Sequence, residues 1–435
     1  MTLIAIVLAF QTWDVEAPKK FGVIHPDFAA GENAILFIGD DAVTVDRETG
    51  RILGSVDEIQ AFVSVPVAET FTGSSFLIDE SLYDARTGAL IRSLPLGNLR
   101  CVHDRHYGVD SEEHLVQLDA TGREEWRRSL KELGIGSDLR SVSGRLFSVD
   151  ADQDVSEVSE KGKVEWTAKI PVPKTVESPS LIIQCVDVDS KPLVLIAENT
   201  QSTMHFVERG KVKSLKLENA APPLLDLTES WDQRLRPWVF ARDKKWYGVV
   251  DGDTLKGKEL VPCFVVLDLK ARKEVRRVAP GKALTYDGFI IDGAGNVLDL
   301  ATGKTVVSIP DTEGAEFRLT SHFATVWRDS RARVYPLDGS AAFEFEFPVR
   351  NAQVILPRDG VDLLLFGGVA SEEAGKVNSI IGSFDLTRQK ATTLANIPHS
   401  ATLDAAFVDR GQLFLVVTVF DGDLRPVRFI ASSLE

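Results

Sequence analysis

Four places in this chain repeat one short phrase: an apolar residue, Asp, a spacer, then Thr-Gly and a new apolar run. It reads Val45-Asp46-Arg47-Glu48-Thr49-Gly50, Tyr83-Asp84-Ala85-Arg86-Thr87-Gly88 and Leu298-Asp299-Leu300-Ala301-Thr302-Gly303. A version one residue shorter stands at Leu118-Asp119-Ala120-Thr121-Gly122. Asp offers a side-chain acceptor to nearby backbone N–H groups, and Gly tolerates the positive φ of a tight turn. The Thr hydroxyl can bond within the same turn. The phrase therefore predicts a turn between two strands, and its return along the chain predicts a repeat architecture.

Each phrase sits inside a larger unit. Ala34–Ile38 reads as a strand, Gly39–Asp41 as a turn and Ala42–Val45 as a second strand; Asp46–Gly50 turns the chain into a third strand, Arg51–Val56. That is an antiparallel meander. Degenerate copies turn at Ser159, Val207, Asp268, Asp338 and Asp385. With the four clear copies, these anchors recur on average about every 42 residues, the period of a four-stranded propeller blade. The expected fold is an all-β β-propeller of four-stranded antiparallel blades. Eight blades are expected, within a range of seven to ten, because the interval from Val207 to Asp268 is long and that from Asp268 to Asp299 short.

At the C-terminus Ala405–Val408, Leu413–Val417 and Val427–Ile430 supply three strands without a fourth, and Gln11–Val15 near the N-terminus reads as an unpaired strand. Joining the two ends in one blade would close the ring and remove two exposed edges. Residues 13–435 are expected to form this single domain. Pro171-Val172-Pro173 and Ala220-Ala221-Pro222-Pro223 are read as blade junctions. The irregular stretch Asp226–Gly257, with Trp231, Trp238, Trp246 and Tyr247, is an elaborated blade or a rim loop.

Of the 435 residues, 44% are hydrophobic and 26% charged, ordinary for a globular chain with ample core. The net charge of −15, with no basic stripe, argues against nucleic acid or an anionic membrane surface as partner. Cys101, Cys185 and Cys263 lie far apart and form no CxxC, so they read as buried free thiols rather than a zinc site or disulfide framework. Residues 1–12 have two readings. Leu3–Phe10 is an apolar run too short to span a bilayer, so it is either signal-like or the first strand of the fold. The signal-like reading is favoured although no Lys or Arg precedes the run, and with it an extracytoplasmic location (periplasmic or secreted); a cytoplasmic one is the alternative.

No motif for chemistry survives its plainer reading. Gly303-Lys304-Thr305 imitates the end of a phosphate loop, but Leu298 stands where the first glycine belongs, so the segment is a repeat turn. Asp150-Ala151-Asp152-Gln153-Asp154 alternates carboxylates, but Val155 and Lys161 occupy the Gly and Glu positions of a helix-loop-helix calcium site. An acidic solvated turn is expected there. His103-Asp104-Arg105-His106, with His114 nearby, could bind one metal only if the segment turns, and reads as a charge-rich surface turn. His25, His205, His322 and His399 are isolated, and no Gly-x-Ser-x-Gly elbow occurs. Arg127-Arg128 and Arg276-Arg277 read as solvated strand faces.

With its Asp-x-x-Thr-Gly turns leading into strands, the chain resembles the quinoprotein-like (PQQ-like) β-propellers. That superfamily includes PQQ-dependent alcohol dehydrogenases and the outer-membrane barrel-assembly lipoprotein. Family members often carry a Trp shortly after the turn, as Trp126 follows Gly122 and Trp166 follows Gly162 here; Gly50, Gly88 and Gly303 lack it. The resemblance implies fold more than function. A dehydrogenase of this family would show adjacent cysteines, a stacking Trp and a Ca²⁺ site, and this chain has no vicinal cysteine pair. No catalytic, cofactor or metal residue is assigned. The expected function is a non-catalytic, monomeric module that binds a protein or peptide, without nucleic acid or membrane span. The alternative is a quinoprotein-type or metal-dependent enzyme with its site in the central funnel, for which Ca²⁺ or PQQ would be the cofactor.

Overall fold

The repeated turns form as their chemistry demands. In the computed structural model Asp46 Oδ1 accepts from the Glu48 and Thr49 backbone N–H groups (3.2 and 2.8 Å) and from Thr49 Oγ1 (2.7 Å). Gly50 N–H donates to Asp46 O at 3.0 Å, with Gly50 at φ +72°. Asp84, Asp119 and Asp299 are bonded the same way to Thr87, Thr121 and Thr302. At Ser159 a hydroxyl takes over, accepting from Lys163 N at 3.3 Å.

The structure describes residues 7–8, 11–18, 27–30, 33–38, 41–56, 74–78, 81–84, 86–87, 89–171, 181–189, 191–198, 203–221, 239–256, 259–279, 281–284, 288–310, 312–357, 361–373, 376–421 and 424–434. Trp231, Trp238, His25, residues 222–223 of one expected junction and 172–173 of the other lie outside them. The chain falls into two compact units: Met1–Gln60, Ser230–Arg234 and Pro280–Glu435 form one, Ala61–Glu229 and Leu235–Ala279 the other.

The first unit holds five antiparallel sheets. Four run over Asp27–Val56, Gly281–Ser308, Glu316–Glu346 and Arg350–Ile397, each a meander of four strands; the last also carries Val7–Leu8, paired in parallel to Lys390–Ile397. The fifth joins Ser400–Asp409, Gln412–Phe420 and Val427–Ser433 to Gln11–Glu16 from the other end of the chain. The expected joining of the two ends is thus found, with Trp13 opposite Ala431.

The second unit also holds five. Ser75–Ser93 has three strands among the described residues; Gly97–Ser129, Asp138–Ala168 and Leu181–Lys216 have four each. In the fifth, Ala220–Ala221 and Val239–Arg242 both pair with the long strand Lys245–Lys256, followed by Glu259–Asp268 and Lys273–Val278. Asp226–Gly257, where described, is therefore an elaborated blade. Tyr247 stacks on Phe240 at 5.2 Å within it.

The described residues are all-β and form ten blade-like antiparallel sheets, the upper end of the expected range of seven to ten and a correction of its central value of eight. Every anchor stands at or just before a turn between two strands: eight precede the last strand of a four-stranded meander, and Asp84 stands between the last two of the three described strands of Ser75–Ser93. The tenth sheet has no anchor because the chain termini stand where its turn would be. The irregular intervals come from strands of unequal length, such as Lys245–Lys256 and Glu259–Asp268.

The cores lie between neighbouring sheets. Phe37 and Phe429 stack at 4.0 Å, joining the sheet of both chain ends to Asp27–Val56, and Phe345 stacks on Phe384 at 3.8 Å between the two sheets that follow Ser308. Tryptophans reach from one sheet to the turn of the next. Trp13 Nε1 donates to Arg47 O at 2.9 Å and its ring covers Gly50; Trp126 Nε1 donates to Glu160 O at 3.0 Å and its ring covers Gly162. In the Ser75–Ser93 sheet Arg92 takes that place, its stem beside Gly122 and its Nη1 donating to Gly122 O at 2.9 Å.

Candidate functional site

The first unit contains a cleft of about 620 Å³ between the sheet Glu316–Glu346 and the sheet Arg350–Ile397. One wall follows from strand register. Glu316 lies opposite Trp327 and Arg318 opposite Thr325, so all four side chains stand on the same face. Trp327 is 2% exposed and belongs to the core with Ala352 and Phe366. The Arg318 guanidinium lies 5.3 Å from the Trp327 ring centroid, a cation–π distance. Its Nη1 donates to Phe317 O (2.9 Å) and its Nη2 crosses the cleft to Val354 O (2.7 Å). Arg328 donates to Glu313 O, and Asp329 follows at φ +53° in the turn that ends the strand.

The other wall is the first strand of the next sheet, Arg350–Ile355. Its pairing to Leu363–Glu373 slips between Arg350 and Gln353, and Asn351 takes φ +50°. The slip exposes Asn351 and Gln353 beside buried Ala352 and Val354. Gln353 Oε1 accepts from Leu403 N at 3.2 Å, which orients the carboxamide.

The site thus has an aromatic, guanidinium-capped floor and a polar rim. Both arginines are committed to main-chain carbonyls, while Glu316 and Asp329 are exposed and enter no ion pair among the described residues. Thr325 Oγ1, opposite Arg318, is buried without a hydrogen-bond partner. No His, Cys, Ser or Tyr lines the cleft. Its groups can recognise amides, cations and apolar side chains; a nucleophile held against a base is not among them. None of these residues carried a signal in the sequence, because register and the packing of two sheets bring them together.

The residues singled out from sequence go elsewhere. Asp150 Oδ1 accepts from the Asp152 and Asp154 backbone N–H groups, both at 2.9 Å, in a turn between second and third strands. Asp110 and Asp292 build the same turn. Burial, then the neighbouring Asp150, raises the Asp154 carboxyl above its ordinary pKa.

The three clustered histidines are not brought together. The His103 ring lies over Gly144, while His114 Nδ1 is 3.3 Å from Asp110 Oδ1. His106 is a correction: it is fully buried in the strand Arg105–Val109, not part of a surface turn, and its Nε2 lies 3.3 Å from Ser75 Oγ. Burial depresses its pKa to about 4. Another titratable pair, isolated in sequence, forms between sheets: His322 Nδ1 lies 2.7 Å from Asp362 Oδ2, and Thr320 Oγ1 donates to Asp362 Oδ1. Gly303 closes the Asp299 turn, and the three cysteines are free and buried. Among the described residues no group of three or more His, Cys, Asp or Glu could hold a metal ion, and no helix is long and apolar enough to cross a membrane.

No family model matches the chain, and no curated protein matches it in sequence. Solved structures similar to it include BamB from Moraxella catarrhalis, 11% identical over 98% of this chain and 100% of that one, with a TM-score of 0.37. The propeller of Dos1 is 11% identical over 98% and 95%, TM-score 0.39. The computationally designed protein Ika8 is 12% identical over 82% and 96%, TM-score 0.37. All three similarities are slight.

Proposed function

We propose that this chain is a non-catalytic, quinoprotein-like propeller that binds a protein or peptide, with the cleft beside Trp327 as its recognition surface. The observation that carries the reading is the cleft's chemistry. Its volume lies within the range of binding sites, its floor is an indole capped by Arg318, and its free carboxylates Glu316 and Asp329 stand at the rim. Such a surface favours a peptide that places a basic or amide-bearing side chain against the rim and an apolar group over Trp327.

The test is selection of peptides from a displayed random library on the folded protein, then titration against the double variant E316K/D329K. Both side chains are exposed, so the variant should keep its stability within about 0.5 kcal/mol. Selected peptides should lose at least tenfold in affinity; undiminished binding refutes the cleft. The enzymatic alternative would show as PQQ-dependent dye reduction or a melting temperature raised by Ca²⁺. The location proposed is extracytoplasmic, on the apolar run Leu3–Phe10. Since Val7–Leu8 of that run pairs with Lys390–Ile397, sequencing the mature N-terminus decides between a removed segment and a built-in strand.

A further inference from the structure

We infer that the strand Leu90–Ser93 is a second interaction surface, one that takes an extended apolar segment of a partner protein, flanked by carboxylates, as an added β-strand. This strand is the last of its sheet, and among the described residues nothing pairs with its far edge. Its pairing slips between Leu82 and Tyr83, so Ile91 stands as an extra residue between Leu90, opposite Tyr83, and Arg92, opposite Leu82. All four residues are exposed, Leu90 at 54% and Ile91 at 40%.

Free edges are normally blunted by charge, above all by Lys. Three of the other four last strands of this unit follow that rule: Glu124–Ser129 carries two Glu and two Arg, Lys211–Lys216 three Lys, and Lys273–Val278 Lys, Glu and two Arg, while Val164–Ala168 has Glu165 alone. Leu90–Ser93 has only Arg92, and its guanidinium is turned inward onto Gly122 O. An edge stripped of its guard, with two adjacent apolar side chains outside, is built for strand addition.

Charge selects the occupant. Arg86 and Arg92 are the charged side chains along 86–93, both exposed, while the Asp84 carboxylate is spent on the Arg86 and Thr87 N–H groups of its own turn. The edge is therefore locally cationic in a chain of net charge −15. The same molecule shows that a last strand of this kind accepts another: Val7 and Leu8 pair in parallel with Thr392 and Thr393 of Lys390–Ile397.

The probe is a fluorescein-labelled octapeptide with a Val-Thr-Val-Ile core and an Asp pair at each end, followed by anisotropy up to about 1 mM. Saturable binding is expected, weakened at least tenfold by I91K and L90K. N-methylation of alternate peptide amides should abolish it, because strand addition works through the main chain. Exchanging the Asp pairs for Lys should weaken it as well. Near-UV circular dichroism should show both variants folded, their side chains being exposed. An unbound peptide, or one that binds I91K as tightly as the wild type, overturns the assignment. So does a wild-type dimer in sedimentation that I91K dissolves, since the edge would then serve a second copy of this chain. The cleft variant E316K/D329K should bind the octapeptide unchanged; loss in that variant alone would move the site to the cleft and refute this edge.

Discussion

Replacing Gly50 by Ala tests whether the tryptophan contact or the turn geometry holds the joined ends of the chain. A Cβ on Gly50 would lie 2.6 Å from Trp13 Cγ and 2.7 Å from Trp13 Cβ and Cδ2. These atoms are the base of the indole, whose far end is fixed by the bond from Nε1 to Arg47 O. The ring cannot swing aside without giving up that buried bond. Left-handed backbone at φ +72° costs an L-residue about 1–2 kcal/mol, overpacking about 1–3, and the strained hydrogen bond about 1. The expected loss is about 3–6 kcal/mol. Gly339 is the control, at φ +82° with nothing within 4 Å of its added Cβ, so G339A should show only the backbone cost. Gly162, whose Cβ would meet the Trp126 ring at 3.0 Å, should fall between. G50N adds discrimination: Asn tolerates positive φ but brings the same Cβ. Urea unfolding followed by tryptophan fluorescence should rank G50A and G50N as most damaging, then G162A, then G339A. Equal losses in G50A and G339A would refute the docking argument and leave only turn strain.

Arg47 links the Asp46 turn to the C-terminal strands: its guanidinium is bonded to Asp409 Oδ2 (2.5 Å), Asp409 O and Gln412 Oε1, and lies 5.5 Å from the Phe414 ring. R47A should cost about 2–4 kcal/mol in urea unfolding, with R47K a poor rescue because Lys cannot reproduce the fork; a loss under 0.5 kcal/mol would show the cluster to be idle. His106 should make stability pH-dependent. Buried and neutral, it binds fewer protons than in the unfolded chain between pH 6.5 and about 4, so stability should fall as pH drops through that window, by up to about 3 kcal/mol. H106L should flatten that slope between pH 7 and 4.5, and an unchanged slope would assign it to other groups. The Asp119 carboxyl is held below its ordinary pKa first by the Thr121 hydroxyl, which outweighs the opposing effect of burial, and then by the Arg123 and Thr121 N–H groups. Its contribution is therefore present above pH 3.8 and lost as pH falls through the lowered value, and D119A should cost on the order of 1 kcal/mol at neutral pH. Equal stability of D119A and wild type at pH 7 would contradict the turn's energetic role.

The features legible in consecutive residues are local. An Asp carboxylate reaches N–H groups two to four residues ahead, and Gly supplies one backbone conformation, so the turns at Asp46, Asp84, Asp119 and Asp299 are written in consecutive letters. Alternation between those turns gave the strands and the meander, and the mean spacing gave the blade. The count of eight falls short because the uneven intervals on either side of Asp268 reflect strands of unequal length rather than false anchors, while the sheet closed by Gln11–Glu16, which has no such turn, is legible only from the strands at the two chain ends. His106 departs from its expected place because the turn is confined to His103 and Asp104, and within the strand Arg105–Val109 the pleat carries the imidazole into the interior. Only the tertiary structure decided that Arg318, Trp327 and Gln353 share a cleft, and that Arg92 replaces a tryptophan over Gly122 and leaves Leu90 and Ile91 outside. Those contacts depend on register and on the packing of one sheet against the next. Neither leaves a mark in a short stretch of sequence.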